Sequence, residues 1–190
     1  MRIGTISLNI NAPDFNYGAV LHSWAFQQYL KKLDYVSYTE IINYLTPCLR
    51  KQNIAFPAFA SLMGLHLRVF IQNIIEMPKY RKRYKKFKQF EDKYMNISKI
   101  GYTQESLEKA KLNYDVIICE SDVIWSPGFF GGKFDKSFFL ALDSMKEMKR
   151  IAYAPSMSDG DLSDKQKREL CELLEYLDYI SCRESYEKKY

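Results

Sequence analysis

A chain of 190 residues with 47% hydrophobic content can build one large domain around a substantial core. Its net charge of +5 is local, because residues 79–88 hold seven cations and no acid. The remainder is close to neutral, which excludes a generally basic, nucleic-acid-coating surface. Cys48, Cys119, Cys171 and Cys182 have neither paired nor zinc spacing. The richest apolar stretch, Leu62–Met77, is interrupted by His66, Arg68, Gln72 and Asn73, so no membrane span is expected. The N-terminus reads directly as a strand rather than as a leader, and a cytoplasmic location is the expectation.

Ile3–Leu8 is a short apolar run, ended by a loop at Asn9, Asn11, Pro13 and Asp14. Val20, Leu21, Trp24, Ala25, Tyr29 and Leu30 recur at helical spacing, predicting a helix from Tyr17 to Leu33. Val36–Tyr44 fits a second strand, completing a β-α-β unit that normally crosses over into a parallel sheet. From Thr46 to Gly101 the pattern is helical: one helix over Ala58–Met77, a break at Pro78, and a second over Lys79–Tyr94. On the latter, Tyr80, Tyr84, Phe87, Phe90 and Tyr94 form one apolar stripe, with the cations on the other faces. Residues 46–101 are therefore read as a helical insertion in a single domain spanning 1–190.

Regular alternation then returns. Thr103 caps a helix over Gln104–Lys111, and Asp115–Cys119 is a buried strand. Lys149–Tyr153 is another strand, and Ser163 with Gln166 has capping-box spacing for a helix reaching Leu177. Tyr179–Cys182 is the last strand. The fold class is α/β, a Rossmann-like parallel sheet flanked by helices.

Of four short signatures, three lie at or just beyond predicted strand ends, where open α/β sheets bind ligands. Asn16-Tyr17-Gly18-Ala19 opens the first helix, whose free N–H groups suit an anion or a sugar hydroxyl. An ordinary capped helix with a packing glycine explains it equally. Glu120-Ser121-Asp122 ends a buried strand, with Trp125 close behind. Asp122 could accept sugar hydroxyls and Trp125 could stack on a sugar ring, or they could be a turn cap and a core anchor. Phe129-Phe130-Gly131-Gly132 reads as a mobile loop over the same cleft. Tyr153-Ala154-Pro155-Ser156 follows another strand. Arg183-Glu184 places a guanidinium at a strand end, for an anion or for its own glutamate. His22 and His66, the only histidines, lack metal-ligand spacing and read as structural.

Taken in order, these signatures resemble the polysaccharide pyruvyl transferase family, from Ile3 to Glu184. The chain departs at His22, where the family has Gln, and at Glu120 and Val123, where it has Gly and Gln. The resemblance implies the N-terminal half of a glycosyltransferase-B-like fold, with the family's C-terminal domain absent from this sequence and the chain alone inactive. It implies transfer of a pyruvyl group from phosphoenolpyruvate to glycan hydroxyls in surface-polysaccharide biosynthesis, with no metal or other cofactor. Arg183 would contact the donor, and Asn16, Tyr17, Gly18, Ser121, Asp122 and Trp125 would line the acceptor side. The expected partners are a glycan or lipid-linked saccharide and phosphoenolpyruvate, with peripheral membrane contact through Lys79–Lys88 and no nucleic acid. A non-catalytic glycan-binding module and a sugar-nucleotide glycosyltransferase fragment are the alternatives.

Overall fold

Six strands make one parallel sheet: β1 (Arg2–Ile6), β2 (Tyr38–Tyr44), β3 (Ile97–Tyr102), β4 (Val116–Glu120), β5 (Lys149–Tyr153) and β6 (Tyr179–Ser181). Their order is β3-β2-β1-β4-β5-β6. The computed structural model describes residues 1–8, 10, 16–46, 67–120, 123–157 and 162–181, without the side chains of 67–70, 72, 73 and 129. Both central strands are buried on both faces, which is why β4 reads as an unbroken apolar run rather than an alternating one. Ile6 lies beside Cys119, so β4 runs one residue further than β1. The Cys119 thiol is free and buried, and burial raises its pKa.

Helices α1 (Tyr17–Lys31) and α2 (Leu67–Tyr94) cover one face of the sheet. Asn16 starts α1 by accepting from the Ala19 N–H at 3.3 Å. Val20, Ser23, Gln27 and Leu30 are its buried stripe, at spacings of three and four. Gln27 clasps the chain ahead of β3: its amide donates to the Asn96 carbonyl at 2.8 Å and accepts from the Asn96 N–H at 2.9 Å. Phe87 of α2 is buried against Val20 and Ile41, with Tyr80, Tyr84 and Phe90 half-buried around it. Burying a ring of that size contributes roughly 1.5–3 kcal/mol. Tyr94, at the stripe's end, is exposed.

The opposite face is covered by α3 (Gln104–Glu108), α4 (Asp164–Leu174) and 3₁₀ turns at Pro127–Phe130, Lys136–Phe139 and Asp143–Met145. Thr103 and Ser163 both close the reciprocal capping boxes at their helix starts. Ile6, Ile42, Ile117 and Cys119 meet Phe138, Phe139 and Leu170 in this larger core.

Two elements differ from the sequence reading. Residues 97–102 form β3, not part of a helical stretch, so α2 lies on the crossover from β2 to β3. Pro78 does not break the helix: α2 runs through it. Proline forfeits one backbone bond, to residue 74, and 74–76 are exposed where water can take that carbonyl. The part of the first expected helix before residue 67 lies outside the described residues. Among the described residues, no helix is long and apolar enough to cross a membrane.

Candidate active site

The sheet order changes direction between β1 and β4: β2 and β3 build outward on one side, β5 and β6 on the other. In open α/β sheets such a switch point is where ligands bind, beyond the carboxyl ends of the strands. Glu120, the last residue of β4, stands at that end of the sheet with 0% of its surface exposed. Alternation along β4 places it on the same face as Val116 and Ile118, toward α1. Its Oε1 accepts from Ser23 Oγ at 2.9 Å, and Ser23 Oγ lies 3.3 Å from Ser7 Oγ, one residue past β1. Its Oε2 has no hydrogen-bond partner among the described residues. It lies 3.5 Å from His22 Nε2, an ion-pair distance too long for a good hydrogen bond. His22 Nε2 is enclosed, yet 38% of its side chain is open to solvent, so the exposure belongs to the rest of the ring.

Three rings continue from this cluster. His22 lies parallel to Phe26 at 6.3 Å, and Phe26 stacks on Tyr153, the last residue of β5, at 4.9 Å. The chain then turns sharply: Ala154 holds a left-handed φ of 49°, and its N–H donates to the Ser181 carbonyl at 2.8 Å. That conformation costs a non-glycine residue about 1–2 kcal/mol. Ser156 beyond it is buried, and its carbonyl accepts from the Trp125 N–H at 3.3 Å.

The predicted site residues divide. Asn16 is the cap of α1, and a Cβ added at Gly18 would stand 3.2 Å from Asn16 Oδ1. Tyr17 is 65% exposed, but its ring lies 4.7 Å from Phe87. It lines a cleft of about 350 Å³ with Val20, Leu21, Lys86, Phe87 and Phe90, between α1 and α2. Tyr17 and His22 leave the helix about 140° apart, so Tyr17 does not join the Glu120 cluster. Trp125 is a core residue in place of the expected stacking platform. Only 3% of it is exposed, its ring lies 5.0 Å from Phe139, and its indole N–H donates to the Phe138 carbonyl at 3.1 Å. Ser121, Asp122, Arg183 and Glu184 lie outside the described residues.

In the expected mobile loop, the Phe130 ring packs against Phe138 at 5.7 Å, and Gly131 and Gly132 take φ of 70° and 85° to turn the chain. These glycines border a groove of about 850 Å³ along α4, with Lys133, Lys136, Lys165 and Arg168. That groove is the larger of the two, but it lies along the helix covering the other face of the sheet, and no predicted site residue lines it.

Sequence reading set aside both His22 and Glu120. One signal could have found them: an acid closing a buried parallel strand is costly unless the site uses it or pairs it.

The fold and site define an α/β protein of the doubly wound, Rossmann-like class, with its polar cluster at the switch point. A family model described as polysaccharide pyruvyl transferase matches residues 16–190. The chain belongs to that family. No curated protein and no solved structure matches it.

Proposed function

We propose that this chain forms the acceptor side of a polysaccharide pyruvyl transferase, moving a pyruvyl group from phosphoenolpyruvate to glycan hydroxyls in surface-polysaccharide biosynthesis. The observation that carries the reading is the buried polar cluster of Glu120, Ser23 and Ser7 at the β1–β4 switch point, in a chain matched to this family over residues 16–190. An acid protonates the enol carbon of the donor, cations hold its phosphate and carboxylate, and a base assists the attacking hydroxyl. Arg183 is assigned the donor anion by the family resemblance. Asn16, Tyr17, Gly18, Ser121 and Asp122 are assigned to the acceptor on the same ground. The scheme needs no metal.

Support for a membrane-peripheral, cytoplasmic setting comes from α2. Lys79, Arg81, Lys82, Arg83, Lys85 and Lys86 are exposed, following exposed Ile71, Ile74 and Ile75 on the same helix. Such a helix suits anionic lipid, and with it a lipid-linked acceptor.

Phosphate release from phosphoenolpyruvate by the full-length protein, across a panel of glycans, tests the reaction. Release that depends on the glycan and falls at least tenfold in Arg183→Ala supports it. Hydrolysis of a sugar nucleotide, with indifference to phosphoenolpyruvate, would point to glycosyl transfer instead. Sedimentation with phosphatidylglycerol vesicles, lost in high salt and absent with phosphatidylcholine, is the expected membrane behaviour.

A further inference from the structure

We infer that Tyr153 is the stacking platform for the acceptor glycan, a hexopyranose that lies with its C–H face on the open side of the ring. This inference rests on the pyruvyl-transfer reading above, in which a glycan is the acceptor. It gives a role to a residue that the reading leaves without one.

Tyr153 closes β5 and is paired in register with Glu120, so it stands at the carboxyl end of the sheet beside the buried polar cluster. Alternation along β5 puts it on the face of Ile151, toward α1. One side of its ring is backed by Phe26, nearly parallel at 14° and 4.9 Å away. Phe26 packs with the cluster over β1 and β4, so it approaches from the β4 side. On the β6 side the register neighbour is Ser181, itself exposed and too short to cover a ring. Tyr153 is left 43% exposed, and its hydroxyl makes no hydrogen bond among the described residues. Ala154 beside it, strained and tied to the Ser181 carbonyl, fixes the backbone from which the ring rises.

A pyranose suits such a surface. Its C–H bonds give it an apolar face, while its hydroxyls project from the rim. An aromatic ring covers the first without competing for the second, and a ring already backed on one side loses little freedom on binding. The other exposed tyrosines compare poorly. Tyr17 is more exposed, but its ring tilts onto Phe87 in the cleft between α1 and α2. Tyr179 begins β6, at the opposite end of the sheet, with Lys149 Nζ 4.9 Å from its ring centre. Among the described residues, Tyr153 is the one exposed aromatic that ends a strand, at the edge where such sheets bind ligands.

The test uses the full-length protein and the methyl glycosides of glucose, galactose and their N-acetylamino forms, without phosphoenolpyruvate. NMR should show nuclear Overhauser contacts from the C–H protons of one pyranose face to the Tyr153 ring, whose signals are identified by their loss in Tyr153→Phe. Tyr153→Phe keeps the π-face and should bind within about threefold of the parent protein. Tyr153→Leu still covers Phe26 but has no π-face, so affinity should fall about tenfold. In turnover, Tyr153→Leu should raise the glycan KM by a like factor and leave the KM for phosphoenolpyruvate unchanged. Full affinity in Tyr153→Leu, or equal losses in the Phe and Leu variants, overturns the inference. So does a parent protein whose Tyr153 ring shows no contact with any of the glycosides, a result that stands even if Tyr153→Leu fails to fold. Stacking on Tyr153 in a protein that never turns over phosphoenolpyruvate overturns the reaction and leaves the sugar platform standing.

Discussion

Asp135 and Glu120 are both buried carboxylates, set on opposite faces of one sheet, and their surroundings differ in kind. Asp135 accepts from the Tyr44 hydroxyl at 2.7 Å and from the Ser137 N–H at 3.0 Å, so both its oxygens are used. It ties β2 to a 3₁₀ turn amid Phe138, Phe139 and Trp125. Glu120 has one hydroxyl on one oxygen and an imidazole edge beyond the other. A buried carboxylate with both oxygens bonded is a strut, whereas one left partly unsatisfied calls for an explanation. The contrast separates a residue that holds the sheet's cover from one whose burial the packing alone does not explain.

Substitutions can break this contrast. The largest expected effect is at Trp125, where truncation to Ala should cost about 3–5 kcal/mol in urea unfolding, as for a large buried ring. If Trp125→Ala instead kept its stability and lost glycan affinity, the core assignment would fall. Next comes Asp135→Ala, which removes two bonds and strands the Tyr44 hydroxyl, for about 2–3 kcal/mol. Glu120→Gln keeps the side chain's volume and the Ser23 bond, and should stay within about 1 kcal/mol of the parent protein. A loss at Glu120 as large as that at Asp135 would erase the distinction.

Acidity sharpens the comparison further. Burial raises the Asp135 carboxyl above its ordinary 3.8, while its bonds from Tyr44 and Ser137 oppose the shift. The folded protein therefore holds this proton more tightly than the unfolded chain. Its contribution is complete below 3.8 and is lost as pH rises through the raised value. Glu91 is raised too, chiefly by burial, so it adds to the same slope. The measurement is thus a difference: stability should fall less steeply with rising pH in Asp135→Asn than in the parent protein. An identical slope in the two proteins would refute this account. The smallest effect concerns the start of α1, where Asn16→Ala removes the cap and should cost about 1 kcal/mol.

Much of the scaffold was legible, for local reasons. The capping boxes at Thr103 and Ser163 satisfy helix ends with residues three apart, and Lys149–Tyr153 was read with its observed limits. The edge strand β3 escaped notice because Ser98, Lys99 and Gly101 interrupt its apolar run, and residues 99–101 are exposed. The cluster around Glu120 showed in the sequence only as an acid closing a buried strand, with nothing to name its partners. Ser23 and Glu120 are 97 residues apart, and their contact follows from the β1–β4 register and the seat of α1. The same long-range packing placed Trp125 inside, a choice that a strand end alone leaves open.

The left-handed residue after β5 has a consequence of its own. Because the Ala154 amide is anchored to β6 and the chain beyond it is anchored to Trp125, neither side of the bend can drift without disturbing the other. Torsional energy held between two fastened points stiffens the rim at Tyr153, the outermost ring of the column that begins at His22. A hinge placed there would have let that wall breathe; the chain has a bracket instead.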